Sequence, residues 1–542
     1  PWTQAQTFFE RKSDWPDDLK IAGTLVACDT SEALLLFLER ELDVQSRRPQ
    51  TARSMWFVVG NLDDERIRDR LAQLSTEIVP CEPNAILDAL QSPTDTDGGD
   101  APTKNLLWWT DPGESSELDP QGERARAGMR AILERGGIAC CVGKIAARLG
   151  KWSIAQDDPA QPFRPAWNVF PDGLLVWRDR STDSSEHIFH SKVTPEMRCV
   201  AIDCPSNHAV VLRGRKLTVL GQDPVSLFLP AAPHLGPREH VLRQRQPDDN
   251  RSPEAWMADW TQWRRDAIER TLPPFPPQAV EEPVVENGTL MIVGGGGLPE
   301  GLMQRFVQCA GGEAARLVYV PCLEEEDAAR EQNFLNMWKR LGVEHSSLLH
   351  TKDRNQADTD ASFYEPLQNA TGVWFGGGRQ WNFADSYYGT TTHRLMKEVL
   401  QRGGVIGGSS AGASIQGSYL ARATPIDNVR IMAPGYERGG LGFLLGVAID
   451  QHFTQRNRHP DLRSLVRTYP QLLGIGIDET TAIVVQGSRA EVVGRGSVFF
   501  MNAVQSDGTL DPQSIQEVGV QAGGVYDLKL RRAVEEPATA DR

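Results

Sequence analysis

The sequence has little cysteine and no long apolar run. Eight cysteines in 542 residues, none of them in a C-x-x-C pair, are too sparse for a disulfide scaffold, a zinc ribbon or a redox motif. Cys140 and Cys141 are adjacent within an apolar stretch, which predicts two buried small side chains in a strand. The longest apolar candidate, Ala33 to Leu38, is far shorter than the roughly 18 residues that span a bilayer, so we expect no membrane partner.

Positive charge is also scarce. Lys and Arg total 57 against 72 Asp and Glu, which gives a formal net charge of -15. A negative field repels phosphate backbones and no basic run offsets it, so we expect no nucleic-acid partner. With 40% hydrophobic and 24% charged residues, the composition is typical of a globular protein.

Motifs for metals and cofactors are missing too. There is no H-E-x-x-H motif, and the ten histidines do not cluster with cysteine or acidic residues at ligand spacing, so we expect neither a metal nor a cofactor. The glycine run from Gly294 to Gly297 follows an apolar strand, but Pro299 stands where the third glycine of G-x-G-x-x-G belongs. No G-K-[ST] follows it. The run is therefore not predicted to bind a nucleotide.

The N-terminus bears on localisation. The chain begins at Pro1 rather than at a methionine, which indicates that an N-terminal segment has been removed or left out. We expect a cytoplasmic protein. Secretion is the alternative, because a signal peptide is one such segment.

The chain divides at a polar, proline-rich segment. PPFPPQAVEEPVVENG, which ends at Gly288, predicts an extended and rather stiff linker. Before it, Trp256, Trp260 and Trp263 lie at helical spacing and predict a helix that packs its apolar side on a domain. The resulting expectation is a first unit at 1–245, a helix plus linker at 246–286 and a second unit at 287–542.

The same order of elements occurs on both sides of the linker, which predicts a tandem duplication. LERGGIACCVGKIAARLG (133–150) aligns without gaps on LQRGGVIGGSSAGASIQG (400–417) with six identities. AIDCPSNHAVVLRGRKLTVLG and GIDETTAIVVQGSRAEVVG also correspond. Because strands alternate with helices in each copy, we expect an α/β fold of two domains with mostly parallel sheets and helices on both faces.

The second copy contains a strand-turn-helix motif that is typical of a nucleophile. An apolar strand ending at Ile406 is followed by G-x-S-x-G at Gly408 to Gly412 and then by a helical segment. Small residues beside Ser410 let the chain turn sharply and present the hydroxyl, while the helix N-terminus offers N–H groups to an oxyanion. The simpler alternative is a chance turn, because Gly and Ser are common.

Three further features strengthen the catalytic hypothesis. The glycine turn after Trp374-Phe375 predicts that the N–H groups of Gly377 and Gly378 complete an oxyanion hole with that of Ala411. His452 follows the apolar VAIDQ segment, where a general base would lie. Glu479 follows a buried strand and is placed to orient the imidazole. Each has a structural alternative: a tight turn, a structural histidine and a solvated acidic turn.

Together these motifs resemble the cyanophycinase branch of the serine peptidases, which also include peptidase E, the aspartyl dipeptidase. GGSSAGAS, the GGG-x-Q turn, DQHF with its Arg-rich loop and LLGIGIDETTAIVV carry the resemblance over residues 288–503. It implies a flavodoxin-like fold shared with class I glutamine amidotransferases, with Ser410 as nucleophile, His452 as base and Glu479 as third member. Asp427 is the alternative acid. Serine in place of cysteine at the elbow argues against amidotransferase chemistry.

The resemblance also implies a substrate and its contacts. The expected activity is that of a serine exopeptidase that hydrolyses aspartyl or isoaspartyl peptides, such as the β-Asp-Arg units of cyanophycin, through an acyl-enzyme. Arginines of the loop after the histidine would clamp carboxylates, and Asp450 would take an arginine head. The implied substrate-binding residues are Gln380, Asp450, Gln451, Arg456 and Arg458. Arg379, where relatives more often have an acidic or small residue, widens the choice to other aspartyl or isoaspartyl peptides, with an aspartyl dipeptidase that does not act on cyanophycin as the alternative.

The first copy lacks the catalytic residues at matching positions. Ser410 falls on Gly143, Glu479 on Cys204 and the glycine turn on Thr110 to Gly113, and no D-Q-H-F counterpart is found. We expect this copy to be non-catalytic. Because the family's enzymes are usually homodimers, it would occupy the place of a second subunit and make an internal pseudo-dimer, with a monomeric chain as one outcome.

Two rival functions belong to other classes. In one, neither copy is catalytic and the protein is a binding or scaffold module of peptidase descent. In the other, the chain is an unrelated esterase of the α/β-hydrolase type. That type expects the order Ser, acid, His, whereas Glu479 follows His452 here.

Overall fold

The computed structural model describes the chain in nine stretches and divides it into two compact units. The stretches are residues 22–46, 54–59, 64–75, 77–81, 103–109, 120–155, 162–178, 191–426 and 430–534. Within them, the N-terminal unit ends at Leu272 and the C-terminal unit begins at Pro273. The sequence predicted a helix plus linker at 246–286, and the boundary between the two units falls inside that segment.

The N-terminal unit alternates strands and helices in its first part and is mostly strands afterwards. Its described strands are β1 Thr24–Cys28, β2 Ser54–Val59, β3 Glu77–Pro80, β4 Thr103–Trp109, β5 Ile138–Val142, β6 Trp152–Ile154, β7 Phe163–Pro165, β8 Gly173–Arg178, β9 Val200–Pro205, β10 Ala209–Arg213, β11 Lys216–Leu220, β12 Val225–Leu229, β13 Arg238–Leu242 and β14 Met257–Asp259. Its described α-helices are α1 Ser31–Ser46, α2 Glu65–Leu74, α3 Pro120–Glu134, α4 Lys144–Arg148 and α5 Trp260–Glu269.

The C-terminal unit follows the same plan. Its described strands are β15 Val285–Val293, β16 Arg316–Val320, β17 His345–Leu348, β18 Gly372–Phe375, β19 Val405–Ser409, β20 Gly417–Tyr419, β21 Leu444–Gln451, β22 Leu473–Ile477, β23 Thr481–Gly487, β24 Arg489–Gly494, β25 Ser497–Asn502, β26 Gln516–Gln521, β27 Val525–Asp527 and β28 Arg532–Val534. Its described α-helices are α6 Leu302–Cys309, α7 Gln332–Arg340, α8 Arg354–Thr359, α9 Ala361–Gln368, α10 Trp381–Tyr387, α11 Thr391–Gln401, α12 Ala411–Ser414 and α13 His459–Thr468.

The two units share one strand order. The main sheet runs β3-β2-β4-β5-β1-β10-β11-β14 in the N-terminal unit and β17-β16-β18-β19-β15-β23-β24-β27-β28 in the C-terminal unit. In each sheet the first five strands are parallel and the rest antiparallel. Smaller sheets, β13-β12-β9-β8-β6-β7 and β26-β25-β22-β21-β20, also correspond. The shared order supports the predicted duplication.

Both faces of each main sheet are covered. In the central strand β15, Leu290 and Ile292 join an apolar cluster with side chains of α11, whereas Met291 and Val293 join a second cluster with side chains of α6. Successive residues of a strand point to opposite faces, so the two clusters lie on opposite sides of the sheet. The units are therefore α/β with helices on both faces, as the sequence predicted.

Other sequence-based expectations are met by local structure. Cys140 and Cys141 lie in β5 and are fully buried. Trp260 and Trp263 lie on α5 and pack in a core of the N-terminal unit. Trp256 lies before β14 and outside this helix, so the predicted helical row of three tryptophans holds for two of them. The proline-rich segment packs on the C-terminal unit, where the ring of Phe275 stacks on Tyr419.

The described residues contain neither a membrane-spanning helix nor a cluster of metal ligands. No helix among the described stretches is long and apolar enough to cross a membrane. In the same part of the chain, no group of three or more His, Cys, Asp or Glu side chains has the arrangement of a metal site.

Candidate active site

The sharp turn after β19 is built from glycine on both sides of Ser410. Ser410 has φ 58° and ψ −111°, and its N–H donates to the Val293 carbonyl at 3.0 Å. A Cβ on Gly408 would lie 2.3 Å from the Gly412 carbonyl oxygen, and one on Gly412 would lie 2.2 Å from that of Phe375. The backbones therefore approach too closely for any side chain, which is the physical reason for the G-x-S-x-G pattern.

Ser410, His452 and Glu479 form one hydrogen-bonded chain. Ser410 Oγ lies 2.9 Å from His452 Nε2, and His452 Nδ1 lies 2.6 Å from Glu479 Oε1. The three side chains follow the carboxyl ends of β19 in the main sheet and of β21 and β22 in the smaller sheet, and such strand ends are where ligands bind in open α/β sheets. The structure thus brings together the three residues that the sequence selected.

The surroundings of His452 favour its neutral form. Burial lowers the pKa of His452 below its ordinary value, and the neighbouring Arg456 and Arg458 lower it further. The hydrogen bond and the charge of Glu479 act in the opposite direction. Because the net direction is downward, the imidazole is neutral near pH 7 and is able to accept a proton.

The glycine run after β15 makes room for this chain of residues. The His452 N–H donates to the Gly294 carbonyl at 2.8 Å. A Cβ on Gly295, which has φ 96°, would lie 2.3 Å from His452 Cε1, and one on Gly296 would lie 2.6 Å from Glu479 Oε2. Sequence reasoning noted this run only to reject nucleotide binding. Its position directly after β15 was the available signal that it lies near the site, because β15 is the neighbour of β19, the strand before Ser410.

The glycine turn after β18 lies close to Ser410. A Cβ on Gly377 would lie 3.6 Å from Ser410 Cβ, so the glycine turn after β18 passes beside the nucleophile candidate. Within the described part of the chain, the N–H groups of Gly377, Gly378 and Ala411 have no backbone acceptor. They are the three donors that the sequence assigned to an oxyanion hole.

Four of the five predicted substrate-binding side chains are buried. Gln380 and Asp450 are fully buried, Gln451 is 2% exposed and Arg458 is 5% exposed. Gln380 Nε2 donates to the carbonyls of Ala421 and Arg422, and Arg458 Nη1 donates to Gln451 Oε1. Asp450, Gln451 and Arg458 are therefore joined by hydrogen bonds of Arg458, whereas Gln380 holds the segment of Ala421 and Arg422.

Asp450 requires a correction. Its carboxylate accepts from Arg422 Nε and Nη2 and from Arg458 Nη1, all between 2.9 and 3.0 Å. The predicted role as the site of a substrate arginine is wrong, because the carboxylate is out of solvent and already carries two guanidinium partners. The sequence showed the arginine of the same loop but gave no sign of Arg422.

Arg456 and Arg379 are the exposed cations of the site. Arg456 is exposed, and its N–H donates to the His452 carbonyl at 3.1 Å. Arg379 follows the glycine turn; its Nη1 donates to the Pro425 carbonyl and its Nε lies 3.9 Å from Glu324 Oε1. Asp427, the alternative acid, lies outside the described residues.

The N-terminal unit repeats the turn without the nucleophile. Gly143 follows β5 with φ 79° and ψ −144°, and its N–H donates to the Cys28 carbonyl at 3.0 Å. This is the bond that Ser410 makes with the last residue of its own central strand. The backbone of the elbow is therefore present in both units, whereas the hydroxyl is present in one.

Strand register identifies the counterpart of His452, which sequence comparison missed. In the C-terminal unit Gln451 pairs with Ile477, the isoleucine of the I-D pair, and Gln451 directly precedes His452. In the N-terminal unit Leu175 pairs with Ile202, the isoleucine of the corresponding I-D pair, and Leu175 directly precedes Val176. Val176 and Cys204 are buried and occupy the positions of His452 and Glu479. The predicted counterpart of the glycine turn, Thr110 to Gly113, lies outside the described residues, as do His187 and His190.

Comparisons with known proteins concern the C-terminal unit. A family model described as peptidase family S51 matches residues 280–493. A cyanophycinase of Geminocystis herdmanii is 31% identical over 203 residues, which cover 37% of this chain and 74% of that protein. One of Trichormus variabilis is 28% identical over 218 residues, covering 39% and 71%. Among solved structures, a peptidase from an acI-B1 Actinobacterium is 23% identical with a TM-score of 0.34, covering 44% of this chain and 97% of that one.

Proposed function

The chain belongs to peptidase family S51 and is a serine-type peptidase, and from this premise we propose that it hydrolyses aspartyl or isoaspartyl peptides as an exopeptidase. Ser410 is the nucleophile, His452 the general base and Glu479 the third member of the triad. The observation that carries the proposal is the continuous chain of contacts from Ser410 Oγ through His452 to Glu479, at 2.9 and 2.6 Å.

The proposed reaction has two steps. Ser410 Oγ attacks the scissile carbonyl while His452 Nε2 takes its proton, and the oxyanion accepts hydrogen bonds from the N–H groups of Gly377, Gly378 and Ala411. His452 then gives the proton to the leaving amine, and the acyl-enzyme forms. Water attacks this ester with His452 again as base, which releases the acid product and restores the hydroxyl.

The substrate class follows from the cations that remain exposed. Arg456 lies beside His452, and Arg379 directly follows the oxyanion turn. A guanidinium binds carboxylates through two parallel hydrogen bonds, so these side chains favour a peptide with carboxylates near the scissile bond. Relatives named cyanophycinases support an aspartyl substrate. With Asp450 buried, no exposed acid of the predicted set remains to select arginine, so we favour aspartyl dipeptides over cyanophycin.

The proposal is tested by turnover on cyanophycin, β-Asp-Arg oligomers, and α- and β-aspartyl dipeptides, together with labelling by a fluorophosphonate. We expect hydrolysis of at least one aspartyl dipeptide and labelling of the wild type. Ser410→Ala should remove labelling and lower kcat by roughly 10⁴-fold or more. Absence of both labelling and hydrolysis in the folded wild type would instead favour a binding or scaffold module.

We also propose that the N-terminal unit is a non-catalytic copy that takes the place of a second subunit. Support comes from the shared strand order of the two units and from Gly143, Val176 and Cys204 at the positions of the triad.

A further inference from the structure

Two arginines and two aspartates form an ion-pair cluster at the end of β21; three of them are buried, and Asp461 is half-exposed. Arg422, which is 3% exposed, donates from Nε and Nη2 to the fully buried Asp450 and from Nη2 to Asp461 Oδ2 at 2.7 Å. Arg458 Nη1 also donates to Asp450, at 3.0 Å. Two cations and two anions balance in formal charge, and Asp450 keeps Arg458 as a partner when Arg422 is removed.

The main chain of Arg422 holds a second segment. Its carbonyl and that of Ala421 accept hydrogen bonds from Gln380 Nε2 at 2.7 and 2.6 Å. Gln380 comes two residues after Gly378, a proposed oxyanion donor. Arg422 has φ 55°, a left-handed conformation that is uncommon for residues other than glycine. The surrounding contacts therefore fix this residue at one place in the fold.

Arg422 thus contacts two segments of the proposed catalytic site. Through Gln380 its backbone fixes the oxyanion turn, and through Asp450 its side chain fixes the end of β21, two residues before His452. No sequence motif marks Arg422, and its burial keeps it away from any substrate.

We infer that Arg422 is a positioning residue that sets the oxyanion turn against the His452 strand end. The inference rests on the proposed function of the same site. A single guanidinium that bridges Asp450 and Asp461 keeps the strand end, helix α13 and the turn in one arrangement. Displacement of catalytic groups by about 1 Å is enough to lower a rate by roughly 100-fold.

The test compares Arg422→Met and Arg422→Lys with the wild type in steady-state kinetics on the best aspartyl dipeptide and in the rate of fluorophosphonate labelling. We expect Arg422→Met to lower kcat and the labelling rate together by roughly 10- to 100-fold, with little change in KM. Lysine should restore part of the rate, because it keeps the charge beside Asp450 but cannot bridge two carboxylates.

A matched control is Arg531→Met. Arg531 also has a left-handed backbone, with φ 51°, and its guanidinium donates to Asn502 Oδ1 and to the Gln471 carbonyl, neither of which is part of the site. It should keep wild-type kcat. If Arg422→Met does not fold, Arg422→Met/Asp450→Asn removes one charge of each sign and should fold with the same loss of kcat.

The outcomes separate the two proposals. A wild type that is neither labelled nor active overturns the proposed function itself. A labelled, active wild type whose folded Arg422 variants retain kcat overturns the inference about Arg422. So does a raised KM with unchanged kcat, since that result would assign Arg422 to substrate binding.

Discussion

The N- and C-terminal units place different chemistry on one strand order. Both have a sharp turn after the strand beside the central one, and in both the N–H of the turn residue donates to the carbonyl of the last residue of the central strand. In the C-terminal unit the turn carries Ser410, and glycines follow the central strand. In the N-terminal unit the turn carries Gly143, and Asp29 and Thr30 follow the central strand. The shared strand order therefore forms without the triad residues, whereas the triad needs the space that the glycines after the central strand leave for its side chains.

The largest expected effect comes from filling that space. We predict that Gly295→Ala lowers kcat and fluorophosphonate labelling by at least roughly 100-fold, because the new Cβ would lie 2.3 Å from the His452 ring. Gly342→Ala is the matched control, since Gly342 has a similar φ of 85° and no heavy atom within 4 Å of a Cβ. Equal activity of the two variants would show that the glycine run does not hold the triad in place.

The next prediction separates the units. Residues 273–542 expressed alone contain the triad candidates and the apolar clusters around them. If the N-terminal unit takes the place of a second subunit, the fragment should form a homodimer, measured as a doubled mass by light scattering, or lose activity. A monomeric fragment with full activity would refute the proposal that the N-terminal unit takes the place of a second subunit.

The smallest expected effect concerns the charge beside His452, the base candidate for which the N-terminal unit has Val176. Arg456 lowers the pKa of His452, and only the neutral imidazole accepts the Ser410 proton. Activity should therefore fall on acidification with a midpoint below about 6.5. In Arg456→Met the pKa of His452 rises, so the midpoint should move to higher pH.

Labelling by an uncharged fluorophosphonate is the measurement for Arg456, because the probe has no carboxylate for Arg456 to bind. A parallel pH series with Ser410→Ala gives the background. An unchanged or lower midpoint in Arg456→Met would contradict the assigned electrostatic effect.

The elements of the site were predictable where they depend on local sequence. G-x-S-x-G after an apolar strand indicated the elbow because close backbone approach demands glycine on both sides of Ser410. The apolar strand before Glu479 likewise predicted that the Glu479 carboxylate lies at the end of a buried strand. The counterpart of His452 was not predictable, since Val176 shares no motif with it and only the register of β8 with β9 relates the two.

The sequence by itself determined the α/β class, the two similar halves and the residues of the candidate triad, because periodic apolar runs and glycine positions act within a few neighbouring residues. Tertiary structure decided which groups meet. Ser410 and His452 are 42 residues apart, yet Ser410 Oγ lies 2.9 Å from His452 Nε2. The carboxylate of Asp450 is bound by Arg422, which comes from another segment of the chain. Contacts between distant segments depend on strand order and packing, which spacing along the chain does not specify. For that reason the predicted arginine-binding role of Asp450 was wrong, while the candidate triad came together as expected.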